Sequence, residues 1–221
     1  MASNAYDARP VVVTPVAVTL VVAAACWVVA ITQMRGMDMG VETGLGSFGW
    51  FVGVWAAMMA AMMLPAAVPA AVDYARTHRR AGATAVFVTA YIVVWTLFGI
   101  ATYAVYRPHS TTAAGVITVA AGLYELTPIK RRARQHCRQS ARSGFHFGLY
   151  CLGSSVGLML LLLALGAMSI GWMVVVAVLV LIQKLMQPRT TVDRALALAI
   201  VAFGVVILID PSSVPGLVPA M

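Results

Sequence analysis

Charge is scarce in this chain. Of 221 residues, 15 are Lys or Arg and 7 are Asp or Glu, so 10% are charged, against about 25% in ordinary soluble domains. So few ionic groups cannot cover a water-soluble fold of this size, which excludes nearly every soluble enzyme class. Cysteine is sparse as well. Cys26, Cys137 and Cys151 are an odd number, two of them in apolar stretches, so no disulfide framework is implied. The Gly-x-x-x-x-Gly-Lys loop, the Gly-x-Gly-x-x-Gly turn and the His-Glu-x-x-His helix are all missing, which argues against primary pumps and hydrolases. Ser154 and Ser155 have no matched His/Asp pair and make no nucleophile. No catalysis is expected of this chain.

What is abundant is apolar surface: 62% of residues are hydrophobic and the mean hydropathy is +0.91. A bilayer core of about 30 Å needs roughly 20 helical residues, and fewer suffice for a span shielded by other helices. That ruler predicts seven spans, over residues 11–31, 48–72, 83–106, 111–126, 147–168, 171–186 and 195–209. The apolar run behind the first ten residues is about twenty residues long and reads as a retained first span. With the N-terminus cytoplasmic, thirteen Lys and Arg fall on inner segments and only Arg35 and Arg107 on outer ones. This obeys the positive-inside rule and puts the C-terminus outside. The net charge of +8 is thereby explained by orientation, and nucleic acid is not a partner. The expected fold is a single all-α domain over residues 1–221, a polytopic transmembrane bundle in the bacterial inner membrane. Its longest loops, 32–47 outside and 128–146 inside, are where aqueous chemistry is expected.

Soft sulfur recurs along the chain. The outer loop holds Met34, Met37 and Met39 beside Asp38. Thioethers suit Cu(I), stay uncharged at any pH and need no deprotonation; they also fill gaps between helix ends. In the second span Met58 and Met62, and Met59 and Met63, are four apart and share a helical stripe. They lie about 15 Å below the outer end of that helix. Pro65 and Pro69 follow and free carbonyls in the preceding turns. Copper capture and packing are both open for this stripe, and the flanking Ala56, Ala57, Ala60 and Ala61 permit close helix approach in either case.

At the inner face, His136 and Cys137 stand on one side of a short linker, His146 and Cys151 on the other. Neighbouring arginines favour the metal-binding thiolate of Cys137, although a positive surround also repels a cation and is itself explained by orientation and anionic lipid. Met168 and Met173 belong to the outer end, Met159 to the middle, Cys137, Cys151 and Met186 to the inner end. Sulfur at three depths is what moving or parking Cu(I) across hydrocarbon requires. Glu125 is the one acidic residue inside a span and is expected to pair with Lys130 or Arg131. Asp73 and Lys184 sit at inner helix ends, from which they can snorkel, and His78 and His109 read as solvated.

The ordered series Ala60-Ala61-Met62-Met63-Leu64-Pro65, Tyr91 to Gly99, Tyr124 to Arg138 with Thr127-Pro128-Ile129-Lys130, Tyr150-Cys151-Leu152-Gly153, Gly166-Ala167-Met168 and Trp172-Met173 resembles the predicted metal-binding integral membrane proteins associated with bacterial polyphenol oxidases. The resemblance runs from about Trp50 to Pro188. It implies a membrane copper chaperone that helps load a partner copper enzyme. The chain departs from the family pattern at its thiols: Ala133 stands four residues before Cys137 where the family has a cysteine, and Ser154, Ser155 and Val156 replace two cysteines and a Trp. Met168-Ser169 replaces Met-Asn, and Gln183-Lys184 replaces Glu-Lys.

The expected function is thus delivery of Cu(I) to a copper-dependent enzyme. The expected metal ligands are Met34, Met37, Met39, Met58, Met59, Met62, Met63, Cys137, Cys151, Met159 and Met168. A second reading is a metal-free scaffold or accessory subunit of an oxidase complex, meeting its partner through small-residue faces such as Gly99, Gly115 and Gly122. A third is a secondary solute carrier coupled through Glu125 and Asp73.

Overall fold

Backbone groups in hydrocarbon must find their partners within the chain, which restricts long apolar runs to helices here. The computed structural model is all-α. It describes residues 4–35, 46–78, 80, 82–106, 110–139, 143–166, 169–186 and 190–214. Among them are eight α-helices: α1 Asn4–Met34, α2 Phe48–His78, α3 Ala83–Val105, α4 Thr111–Glu125, α5 Pro128–Gln139, α6 Gly144–Gly166, α7 Ile170–Leu185 and α8 Thr190–Ile209.

Five of these, α1, α2, α3, α6 and α8, are long and apolar enough to cross a membrane, and α4 joined to α5 makes a sixth only if one bent pair is counted as one span. The predicted sixth span, 171–186, corresponds to α7, which has 16 residues and falls among the shorter apolar helices. Enclosure sets the layout. In α2, 67% of the apolar window is buried, against 22% in both α1 and α8. Accordingly α2 forms the centre, touched by α1, α3 and α7, while α8 lies outside and packs on α4.

The segment 128–146 is not the aqueous loop the sequence predicts. Its first part is helix α5, bent by 64° from α4. Local chemistry explains the break. Thr127 occupies the N-cap position, its hydroxyl donating to the Tyr124 carbonyl at 2.7 Å and accepting from the Lys130 amide at 3.4 Å. Pro128 sits at the first helical position, where its missing N–H costs nothing. The polarity of α5 is inverted relative to a soluble surface helix: Lys130 is 3% exposed and the adjacent Ile129 is 64% exposed. Lys130, Arg134 and Cys137, spaced four and three apart, form the inward stripe.

Glycine permits the closest helix approach. A Cβ on Gly144 would stand 2.2 Å from the Phe87 carbonyl oxygen, so the start of α6 lies directly on α3. Gly99 is filled by the Trp55 ring, and Gly115 and Gly122 meet Leu208 and Val201 of α8. The faces expected to receive a partner subunit are therefore taken up inside the bundle, because small residues let α4 and α8 pack backbone to backbone.

Candidate metal centre

The sulfur-rich middle is built on α2. Met58, Met59, Met62 and Met63 are each at most 2% exposed, and Ala60, Ala61 and Leu64 are buried beside them. Consecutive burial all round the helix places these methionines inside the bundle, with none turned to acyl chains. Met159 of α6, Met173 of α7 and Met34 at the end of α1 belong to the same contiguous apolar core. The two stripes drawn from four-residue spacing are thus part of a wider sulfur-bearing core. Flexible, polarisable thioethers fill the irregular gaps among helices that cross at different angles. Met37, Met39 and Met168 lie outside the described residues, as does His109.

A second, polar region occupies the end of the bundle where α5 lies. Cys137 of α5 and Cys151 of α6 are both buried, and their side chains are hydrogen-bonded neighbours. Lys184 of α7 donates to the Cys151 sulfur and approaches the Cys137 sulfur at 4.0 Å. The Tyr91 hydroxyl meets the Cys151 sulfur at 2.9 Å. Phe147 covers the site, its ring 5.4 Å from Tyr91 and 6.0 Å from the Lys184 ammonium. Lys184 therefore points inward and does not snorkel. The remaining members of the expected foursome are elsewhere: His136 is exposed and stacked on Tyr150 at 5.2 Å, and His146 is exposed beside Phe145. Among the described residues no group of three or more His, Cys, Asp or Glu gathers in the manner of a metal site. Among the described residues the thiol pair is thus joined by no third His, Cys, Asp or Glu.

An ion-paired network fixes that end. Lys130 pairs with the Glu125 carboxylate, as expected, and donates to Gln183 Oε1 at 3.0 Å. The Gln183 amide in turn donates to Glu125 at 2.9 Å. Arg134 pairs with Asp193 of α8 at 2.6 Å and donates to the Gln183 and Met186 carbonyls. Each buried charge thus has an opposite charge and additional hydrogen bonds, the condition under which burial is tolerated. One group of contacts clamps α5 to α4, α7 and α8, holding Cys137 against Cys151.

Sequence reasoning did not find Gln183, Lys184, Arg134 or Tyr91 as members of the site. A usable signal was present in α7. Met173, Val176, Ala177 and Val180 are its buried positions, and Gln183 and Lys184 continue that stripe at the same helical spacing. The substituted positions of the resemblance also lie here: Ala133 packs 3.3 Å from where Gly153 would carry a Cβ, and Ser154 lines the same cavity as Cys137 and Lys184.

The fold and this site together define a polytopic helical membrane protein with a buried thiol pair beside a lysine. The PpoB2 family, described as a copper chaperone, matches over residues 52–207. The chain belongs to that family. No curated protein and no solved structure matches it.

Two buried thiols with a cation beside them fit Cu(I) as cargo. Copper(I) held by two thiolates would carry one net negative charge, which an ammonium placed as Lys184 is would offset.

Proposed function

We propose that this protein binds Cu(I) at Cys137 and Cys151 and passes it to a partner copper enzyme, itself performing no catalysis. The observation that carries the reading is the meeting of two sulfurs from separate helices with the Lys184 ammonium against both. The methionine core is a secondary, weaker set of ligands through which the ion is transferred: Met159 lies eight residues beyond Cys151 on α6, about 12 Å along the axis. Neutral thioethers bind Cu(I) without proton release and let it go readily, as a relay requires. The excess of Lys and Arg on one set of segments supports an inner-membrane orientation with the thiol pair at the cytoplasmic side.

The test is Cu(I) titration of the purified protein in lipid nanodiscs against a competing chelator. Changing Cys137 and Cys151 together to Ser is expected to weaken binding at least a hundredfold. Changing Met58, Met59, Met62 and Met63 together to Leu is expected to cost tenfold or less at equilibrium, while slowing copper transfer to an apo copper enzyme. Undiminished affinity in the double Ser variant would discard the thiol site.

A further inference from the structure

Beside the thiol pair lies a cavity of about 250 Å³ whose polar wall is made by Asp73, Arg134, Cys137, Ser154 and Lys184. That is room for about eight waters, or an organic molecule of similar heavy-atom count. Ala70 and Phe147 belong to its apolar wall. Three observations describe what it would hold. Arg134 is 7% exposed, its terminal nitrogens engaged by Asp193 and by the Gln183 carbonyl, and Lys184 stands on the same cavity wall. Two cations on one cavity wall are matched by a carboxylate. Asp73 is exposed, and its ion pair with Arg76 spans 3.9 Å, too loose and solvated to contribute much; it is available to an ammonium. Cys137 then lies on the same wall as these opposite charges.

We propose that this cavity docks a small zwitterionic thiol, of the amino-acid type, that brings Cu(I) to Cys137 and Cys151. The inference rests on the copper-binding reading and names the form in which the cargo arrives. The donor's carboxylate lies toward Arg134 and Lys184, its ammonium toward Asp73 and its sulfur toward Cys137. Copper stays Cu(I) throughout. The cavity takes one of the two donor thiols of the Cu(I) complex and the other stays in the water outside it. Two bonds from copper to these two donor sulfurs break, two to the Cys137 and Cys151 sulfurs form, and each of the two departing thiolates takes the proton of the cysteine that replaced it. No oxidant or reductant is consumed.

The experiment follows copper retained on the full-length protein in nanodiscs after rapid gel filtration. Three preformed Cu(I) donors are compared at equal free Cu(I): L-cysteine, cysteamine, which lacks the carboxylate, and 3-mercaptopropionate, which lacks the ammonium. Transfer from the cysteine complex is expected to be at least tenfold faster than from either analogue. Asp73→Asn is expected to erase the advantage over 3-mercaptopropionate. Ala70→Leu, which narrows the cavity without touching a sulfur or an ion pair, is expected to slow the cysteine complex about tenfold. Both variants should keep wild-type equilibrium affinity against a chelator. Equal rates for the three donors, or an unaltered rate in Ala70→Leu, would overturn the docking pocket and leave the thiol site standing. Loss of chelator-resistant copper in the wild-type protein would remove the copper reading itself.

Discussion

The middle of the bundle and its basic end solve opposite physical problems with the same helices. In the middle, α2 contributes neutral side chains buried on every side, Met58 to Leu64, and stability comes from apolar burial and gap filling. At the basic end, Glu125, Lys130, Arg134 and Gln183 are also buried, and burial is tolerated because each is paired. The contrast teaches where precision resides. A thioether core accepts substitution, since its contacts are undirected; an ion-paired clamp does not, since each member holds the others. The thiol pair belongs to the clamped region, where two sulfurs from different helices are held beside one ammonium.

The largest expected break in this contrast comes from removing one charge. Lys130→Met leaves the Glu125 carboxylate without its cation and should destabilise the protein by about 3–5 kcal/mol, seen as a lowered thermal midpoint in detergent. Met59→Leu, equally buried but volume-conserving, should cost less than about 1.5 kcal/mol in the same assay. Equal losses would abolish the distinction between the two regions. A smaller effect is expected at Lys184→Met. Without the ammonium the copper-dithiolate keeps its net negative charge in a poorly solvated site, and Cu(I) affinity should fall about tenfold, or about 1.4 kcal/mol, in chelator competition. The comparison is sharpened most gently by Ser154→Cys, which adds a third sulfur to the cavity already shared by Cys137 and Lys184. X-ray absorption of the copper-loaded variant should then show three sulfur neighbours where the wild-type protein shows two, with a modest gain in affinity.

Much of the fold is legible in the sequence because long apolar runs have few options. The positions of α2, α3 and α6 follow from run length, and the break before α5 from Thr127-Pro128. The segment after that break reads as a loop because its six cations and its polarity match those of a solvated stretch. The Lys130–Glu125 pair is local and expected from spacing, but only the contacts of Arg134 with Asp193 and of Lys130 with Gln183 show that this polarity turns inward. Spacing likewise finds the methionine pairs, but it cannot separate ligand from filler, since both occupy buried positions. In α7 nearly every position is apolar, so hydrophobic contrast does not reveal the inner stripe, although the polar pair Gln183 and Lys184 marks it.

The sequence by itself determined that this chain lives in a bilayer, that its elements are helices, and that soft sulfur is distributed along them, because composition and run length act locally and leave no competing solution. Tertiary structure alone decided which sulfurs meet. Cys137 and Cys151 are joined, and His136 and His146 left outside, by the 64° bend between α4 and α5 and by long-range charge pairing. Such pairing depends on distances between helices that no local pattern encodes.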